Sequence, residues 1–395
     1  MHRLYKFGFL LILLTRLSPA FAQFTLTNVG SPHGVFPSVN PIRPIVRDHF
    51  VFAANGNYGS IVAFDISDPE NPIKIGAATL GPGFQYSYDV AVLSNTAFVV
   101  QELNGLCIFD ISNPTNMVGI SQTNAGSSPY TVAVSGSYAY VVNLFVDWRI
   151  YDVSNPATPF SVATVTNVHP TQVALSGKYA CVSDTQLGFF IYDVSNPSVP
   201  VQVGQPTNHF SGGFLLIAGK YLYVQDYAGG MALYDVSDPV NPLYLSHTDT
   251  NLNVSPSFIS GNFLYARNPP DSLRVYDVSN PALPREVGYT RNYNGAPVNF
   301  AALSRNYVYL ASGGYGLIVF KVTGPPLSLD LANPNLMISW PTNSLPFALQ
   351  KSTTLALPNW IAVTNTPQVV ADRNHVLLPQ SASNAFFRLS LTNAP

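Results

Sequence analysis

The sequence predicts an all-β fold, in which a seven-bladed β-propeller closed by its N-terminal strand is followed by a small C-terminal β-sandwich. Three observations lead to this prediction. A short motif recurs along most of the chain, its copies are about 40–45 residues apart, and each unit holds short runs of β-forming residues divided by turn signals. That period is typical of propeller blades built from four strands each.

The motif reads YDVSNP at residues 151–156 and again at residues 192–197. A third copy at residues 276–281 also reads YDVSNP, looser copies read FDISDP, FDISNP and YDVSDP, and a degenerate seventh copy, FKVT, has Lys321 in place of the aspartate. The motif aspartates of the six good copies are Asp65, Asp110, Asp152, Asp193, Asp235 and Asp277. Seven copies predict seven blades.

Repeated aspartates could be calcium ligands, because carboxylates bind that cation. The alternative is turn chemistry, in which Asp, Ser and Asn side chains bond to nearby backbone N–H groups and Pro fixes φ. One aspartate per blade also distributes the carboxylates around a ring instead of bringing them together. The sequence therefore favours turns, and it predicts no metal site and no cofactor.

Turn signals place the strands within each unit. In the third copy, the runs at 131–135 and 138–143 flank Gly136-Ser137, a hairpin signal because glycine supplies the positive φ of a two-residue turn. A third run leads into the motif, and a fourth strand follows it. The seventh unit lacks a fourth strand, whereas the run FTLTNVG at 24–30 has no unit of its own. We expect this N-terminal strand to complete the last blade and to cover its free edge.

The two ends of the chain differ from the repeats. Residues 1–22 have a basic start, a short apolar run and the sequence AFA, which is the pattern of a cleaved export signal. The propeller is assigned to residues 23–324. Residues 325–395 follow without a copy of the motif, and their short alternating runs predict a small β-sandwich with Trp340 and Trp360 in its core.

Composition limits the partners that can be expected. Charged residues make up 10% of the chain and the formal net charge is -2, so no basic stripe is available for nucleic acid. After signal removal no segment approaches the length of a membrane-spanning helix. Cys107 and Cys181 lie in different repeats, which favours two buried thiols over a disulfide. The expected locations are secreted, periplasmic or at the cell surface.

The repeated unit GLxIYDVSNPxxPxxVG resembles the LVIVD-repeat family of exported bacterial and archaeal β-propellers, over about residues 24–323. This resemblance implies a secreted or cell-surface propeller. The family has no single activity, so the resemblance carries over no catalytic residue. The C-terminal tail resembles, less specifically, the sandwich modules of large exported bacterial proteins, which implies a role in sorting or attachment.

Function is expected at the end of the strands opposite the motif, because the copies differ there. An aromatic, weakly charged rim suits stacking on sugars or gripping a peptide. The two acidic candidates, Asp184 and Asp226, stand at the ends of second strands, where capping of the following turn is the alternative role. The candidate ligand-binding residues on this side are Trp148, Tyr227, Tyr315, Tyr58, Asp184, Asp226, His169, His209 and Arg267.

The sequence therefore predicts a non-enzymatic protein that binds a protein or a carbohydrate through its variable loops. The alternative is a propeller hydrolase or lyase with His169, His209 and either Asp184 or Asp226 at the channel mouth. No GxSxG or HExxH motif supports an enzyme, and no catalytic residue is assigned. A third class, a purely structural envelope protein, would have no pocket at the channel mouth.

Overall fold

The structure is a computed structural model of the chain. It describes residues 25–30, 40–56, 59–81, 85–208, 210–248, 251–269, 272–291, 299–323, 328–332, 335–341, 347–353, 360–370, 373–379 and 385–391. The predicted export signal lies outside these residues. Within them, no helix combines the length and the apolar character that crossing a membrane would require.

The repeats form seven four-stranded antiparallel sheets, numbered here in chain order. Sheets 1 to 3 contain β2 (Pro41–Arg47), β3 (Phe50–Asn55), β4 (Ser60–Asp65) and β5 (Ile73–Thr79); β6 (Ser87–Leu93), β7 (Thr96–Gln101), β8 (Gly105–Asp110) and β9 (Val118–Thr123); and β10 (Pro129–Ser135), β11 (Tyr138–Asn143), β12 (Asp147–Asp152) and β13 (Phe160–Val165). In each of these sheets the spatial order of the strands follows the sequence.

The remaining repeats continue the same pattern. Sheets 4 to 6 contain β14 (Pro170–Ser176), β15 (Tyr179–Asp184), β16 (Gly188–Asp193) and β17 (Val201–Gly204); β18 (Gly212–Ala218), β19 (Tyr221–Asp226), β20 (Met231–Asp235) and β21 (Leu243–Thr248); and β22 (Ser255–Ser260), β23 (Phe263–Asn268), β24 (Ser272–Asp277) and β25 (Arg285–Arg291). Sheet 7 contains β26 (Ala301–Ser304), β27 (Tyr307–Ala311), β28 (Leu317–Thr323) and β1 (Thr25–Gly30), with a short 3-10 helix (Gly313–Tyr315) between β27 and β28. This is a propeller-like all-β architecture.

Apolar clusters join each sheet to the next. One such cluster lies between every pair of consecutive sheets, and a further cluster joins sheet 7 to sheet 1. In that last cluster, Val51 and Phe64 of sheet 1 pack with Tyr309 and Val319 of sheet 7. Second strands such as β3 and β11 are buried at almost every residue because a neighbouring sheet covers each of their faces.

The N-terminal strand β1 pairs with β28, as the sequence predicts. The strands are antiparallel, with Leu26 opposite Val322 and Thr27 opposite Lys321. Lys321 replaces the motif aspartate in sheet 7. Its Nζ lies 2.8 Å from Oε1 of Glu70, which belongs to the motif turn of sheet 1. Contacts of sheet 7 therefore reach both ends of the repeat region.

The motif residues form turns, as predicted. Each motif aspartate accepts a hydrogen bond from the backbone N–H two residues later, as in the 2.9 Å bond from Ser154 N to Asp152 Oδ1. The same bond occurs in the other five copies at 2.7–2.9 Å. The following Asn or Asp repeats the arrangement, as in the 3.1 Å bond from Ala157 N to Asn155 Oδ1. These carboxylates therefore stabilise the turn from the third strand to the fourth.

The two ends of the sheets differ in character. At the end that we call the motif end, the motif turn lies beside the hairpin between the first and second strands, because Val153 N donates to Ser137 O at 2.8 Å. The opposite end, which we call the variable end, is where first strands begin and second strands finish, as the pairing of Pro129 with Asn143 indicates. The loops at the variable end differ from sheet to sheet.

Residues after the repeats form seven strands in two further sheets. These strands are β29 (Ser328–Ala332), β30 (Asn335–Pro341), β31 (Phe347–Ser352), β32 (Ile361–Ala362), β33 (Gln368–Val370), β34 (Arg373–Pro379) and β35 (Phe386–Leu391). The sheets have the orders β29-β30-β34-β33 and β32-β31-β35, and they share a core that contains Ile338, Trp340 and Leu349. Trp360 is only half-buried and does not belong to that cluster.

Candidate binding site where the first strands meet

A cavity of about 350 Å³ lies where the first strands of the seven sheets come together. Its volume is at the lower end of the range of roughly 300–1,000 Å³ that is typical of small-molecule sites. A single sugar ring or one side chain fits such a space. Every first strand contributes to the lining, for example through Arg43, Asp89, Val132, Gln172, Leu215, Ser257 and Ala301.

Irregular pairing at the start of the first strands shapes this region. In six of the seven sheets the register between the first and second strands shifts there, as between Ser87 and Asp89 or between Gly212 and Leu215. A bulge changes the direction in which nearby side chains point. The residues at these shifts include Arg43, Gln172 and Ser257, which line the cavity.

Aromatic rings follow one another beside the cavity. The ring centroids of Tyr86 and Tyr88 are 4.7 Å apart, those of Tyr88 and Tyr130 are 5.3 Å apart, and those of Tyr130 and Phe214 are 6.2 Å apart. Phe214 meets Phe300 edge to face at 5.0 Å. We call these five residues the aromatic arc. It shares Phe300 with the cavity wall.

Two arginines stack on the same pair of rings in the arc. The guanidinium carbon of Arg43 lies 4.2 Å from the centroid of Phe300 and 4.9 Å from that of Phe214. The guanidinium carbon of Arg267 lies 4.5 Å and 4.8 Å from the same two centroids. Aromatic faces attract cations, and this attraction is strongest where water is excluded.

The two arginines differ in their charge partners. Nη1 of Arg43 lies 3.0 Å from Oδ2 of Asp89, whose side chain is almost completely buried. Burial raises the pKa of Asp89, and Arg43 opposes that change. Among the described residues, no carboxylate forms an ion pair with Arg267. Burial lowers the pKa of Arg267 to about 10, and the positive charge of Arg43 contributes in the same direction.

The structure brings two predicted residues, Tyr227 and Arg267, to the aromatic arc. Tyr227 is 44% exposed. Burial of its hydroxyl raises the pKa of Tyr227, Tyr130 raises it further, and Arg267 lowers it. Tyr315 is similarly exposed, at 42%, and ends the 3-10 helix that follows β27. It therefore lies in the connection between β27 and β28, at the variable end.

Trp148 is not a surface residue, contrary to its place among the predicted ligand contacts. Its side chain is fully buried between sheets 3 and 4. The indole lies 5.0 Å from the ring of Tyr192 and 6.4 Å from that of Tyr140. Because it is the second residue of a largely buried third strand, Trp148 packs between the sheets instead of pointing into a loop.

The acidic candidates stabilise loops. Asp184 accepts hydrogen bonds from the backbone N–H groups of His169, Gln186 and Leu187 at 2.7–2.9 Å. Nδ1 of His169 lies 3.9 Å from Oδ2 of the same carboxylate. These bonds match the capping role that the sequence offers for residues at the ends of second strands.

Asp226 has a similar role in the next sheet. It accepts a 2.9 Å bond from Ala228 N and lies 3.2 Å from Nε2 of His247. Tyr58 and His209 lie outside the described residues. Within those residues, no group of three or more His, Cys, Asp and Glu side chains is arranged to hold a metal ion.

The sequence did not identify the inner part of this site. Arg43, Asp89, Gln172, Phe214 and Phe300 come from different sheets, and none belongs to the repeated motif. The available signal was a polar or bulky residue within the first few residues of an otherwise apolar first strand. That signal indicates an unusual position, but it does not show which positions meet.

Comparison with protein families finds the LVIVD repeat five times in this chain. The matched stretches are residues 85–124, 128–167, 169–207, 214–250 and 257–291, which correspond to sheets 2 to 6. The sequence matches none of the curated proteins.

Solved structures support the fold alone. The computationally designed Ika8 protein matches 75% of this chain and all of its own chain, with a TM-score of 0.56 and 8% identity. A functionally unknown protein from Desulfotomaculum acetoxidans DSM 771 matches 65% of this chain and 86% of its own, with a TM-score of 0.54 and 13% identity.

Proposed function

Because the chain belongs to the LVIVD-repeat family, we propose that it is an exported binding protein. In this proposal the seven repeat sheets are the blades of a closed propeller, and a glycan-binding site lies at its central channel. The observation that carries this proposal is the aromatic arc beside a small cavity. Aromatic faces pack well against sugar rings, and the hydroxyls of Tyr86, Tyr88 and Tyr130 add hydrogen-bonding groups.

Closure of the ring is supported by contacts between the last blade and the first. The cluster around Phe64 and Tyr309 joins them in the same way as the clusters between consecutive blades. Glu70 in blade 1 accepts hydrogen bonds from Tyr307 at 2.9 Å and from Lys321 at 2.8 Å in blade 7. In a closed ring every blade packs against two neighbours, and the sheet edges that remain are short.

The size of the cavity supports a glycan over a folded protein surface. A protein interface of standard size buries roughly 800 Å² on each partner, whereas this cavity has room for one ring. A protein that inserts a single side chain is the other outcome that the experiment below can reveal. The hydrolase or lyase alternative stays a prediction, which turnover measurements on wild-type protein and a His169→Ala variant would test.

Export and the C-terminal module complete the proposal. The basic start, apolar run and AFA sequence of residues 1–22 support secretion to the periplasm, the surface or the medium. The two sheets formed by strands β29–β35 share one core, which supports a small sandwich module within residues 325–395. We propose that this module attaches or sorts the propeller.

Glycan-array binding by the mature chain, residues 23–395, tests the proposed site. We expect wild-type protein to bind a defined set of glycans on the array. We expect Tyr227→Ala and Tyr130→Ala each to weaken that binding by about tenfold, which is 1.4 kcal/mol. Tyr244→Ala is the matched control, because Tyr244 is 43% exposed but lies on the outer strand β21.

Two results would overturn the glycan proposal. One is the finding that wild-type protein binds no glycan on the array. The other is a bound glycan whose affinity is unchanged in both Tyr227→Ala and Tyr130→Ala. Loss of binding in Tyr244→Ala alone would move the site to the outer strands.

A further inference from the structure

We propose that Arg43 and Arg267 together bind the carboxylate of an acidic sugar residue, a uronate, whose ring packs against the aromatic arc. This inference rests on the proposed glycan-binding function and specifies its substrate class. It starts from the two guanidinium groups that share Phe214 and Phe300.

The charges at this place do not balance. Arg43 and Arg267 contribute two positive charges, and Asp89 is the carboxylate that pairs with Arg43. Among the described residues, Arg267 has no such partner. Like charges close together in a poorly solvated place repel each other, and a bound anion removes that repulsion.

Hydrogen-bonding capacity at the arginines is also unused. Nη2 of Arg43 and Nε of Arg267 are buried and have no acceptor among the described residues. Buried donors without an acceptor are uncommon in folded proteins and often mark a place where another group binds. An anion between the two guanidinium groups would give these donors an acceptor.

The site is suited to a single negative charge. Arg43, Arg267 and Asp89 together carry one net positive charge, because Asp89 already pairs with Arg43. One monovalent anion neutralises this charge, whereas a phosphate monoester, with nearly two negative charges, would leave the site with a net negative charge. Guanidinium groups also match the planar geometry of a carboxylate. The neighbouring rings of Tyr88 and Tyr130 supply the apolar surface that a sugar ring needs.

Titration calorimetry with small probes tests this inference on the mature chain. D-glucuronate is the acidic probe, D-glucose is its neutral match, and inorganic phosphate at equal ionic strength is the anion without a sugar ring. We expect glucuronate to bind at least about tenfold more tightly than either of the other two probes.

An Arg267→Met variant removes the unpaired cation and keeps an apolar side chain on the rings. We expect it to lose at least about tenfold in glucuronate affinity, with little change in its binding of glucose. Its melting temperature should be unchanged or higher, because a buried cation without a partner is removed. Lys178→Met is the matched control, since it removes one positive charge from an exposed residue at the motif end.

The outcomes separate this inference from the proposed function. Equal affinity for glucuronate and glucose, or unchanged glucuronate affinity in Arg267→Met, would overturn the uronate assignment and leave glycan binding intact. Phosphate that binds more tightly than glucuronate would overturn it as well. A lower melting temperature in Arg267→Met with unchanged glucuronate binding would show that the arginine serves only packing. No sugar binding at all would contradict both proposals.

Discussion

Individual residues at the motif end meet strict backbone requirements. The first loop residue of all seven hairpins between first and second strands has a positive φ of 52–56°, and these residues are Asp48, Ser94, Gly136, Gly177, Gly219, Gly261 and Arg305. Glycine adopts this conformation freely, whereas other L-residues are strained in it. The hairpin prediction is thereby confirmed, including the copies in which glycine is replaced.

Exchanging residues at these hairpins should change stability in opposite directions. Gly177→Ala should lower the free energy of unfolding by about 1 kcal/mol, because a Cβ there meets no neighbour and only the backbone conformation opposes it. Ser94→Gly should raise the free energy of unfolding by up to about 1 kcal/mol. Urea denaturation measures both. Equal midpoints for Gly177→Ala and wild type would contradict the account of the turn.

The motif aspartates should make the free energy of unfolding depend on pH in the acidic range. The bond from Lys178, with help from Ser195, lowers the pKa of Asp193 to about 2 in the folded protein, whereas an unfolded aspartate titrates near about 3.9. Its contribution is therefore complete above pH 4 and is lost as pH falls from about 4 to 2. As the pH falls through this range, the denaturation midpoint of Asp193→Asn should therefore fall less steeply than that of wild type. An identical pH profile would contradict the assignment.

At the scale of strands and sheets, repetition made the fold predictable and limited what could be said about the site. The motif and the hairpin signals recur, so the sequence placed the strands and the pairing of β1 with β28. Trp148 was misplaced because it lies one residue into its strand, and sequence alone does not distinguish a loop residue from a buried residue at the start of a strand. Arg43 and Phe300 lie far apart in the chain and meet only through the arrangement of the sheets.

Trp148 should matter for stability and not for binding. Trp148→Ala should cost about 3–5 kcal/mol of unfolding free energy, because it leaves a large cavity between sheets 3 and 4. Trp148→Phe should cost less, since it keeps a ring against Tyr192. Chemical denaturation gives both values, and glycan affinity of folded Trp148→Phe serves as the control. A stable Trp148→Ala variant with lost binding would reverse this assignment.

Removal of β1 tests how sheet 7 is completed. A chain that begins at residue 31 leaves β28 with an unpaired edge, which should lower the melting temperature and promote association between molecules. A chain that begins at residue 23 is the comparison. Light scattering and thermal unfolding report the two effects. Unchanged values for both would show that β1 is dispensable.

At the scale of the whole molecule, the regular and irregular parts of each repeat serve different purposes in the proposed ring. Motif turns and hairpins occupy one end and are hydrogen-bonded to each other within each sheet. The variable end and the starts of the first strands carry Tyr227, Arg267 and the aromatic arc. A scaffold of this kind can change its ligand through a few residues while its cores stay the same.

Protection of an introduced thiol tests the central claim, which is that the ligand binds at the aromatic arc. Burial raises the pKa of Cys107 and Cys181 to about 12, so neither thiol should compete for a maleimide reagent. The measurement is the rate at which maleimide labels a Tyr227→Cys variant, with and without a saturating concentration of a glycan found on the array. A Tyr244→Cys variant, measured in the same way, is the control. We predict that the glycan slows labelling at position 227 by at least about tenfold and leaves position 244 unchanged. Equal rates at position 227 under saturation would contradict the account.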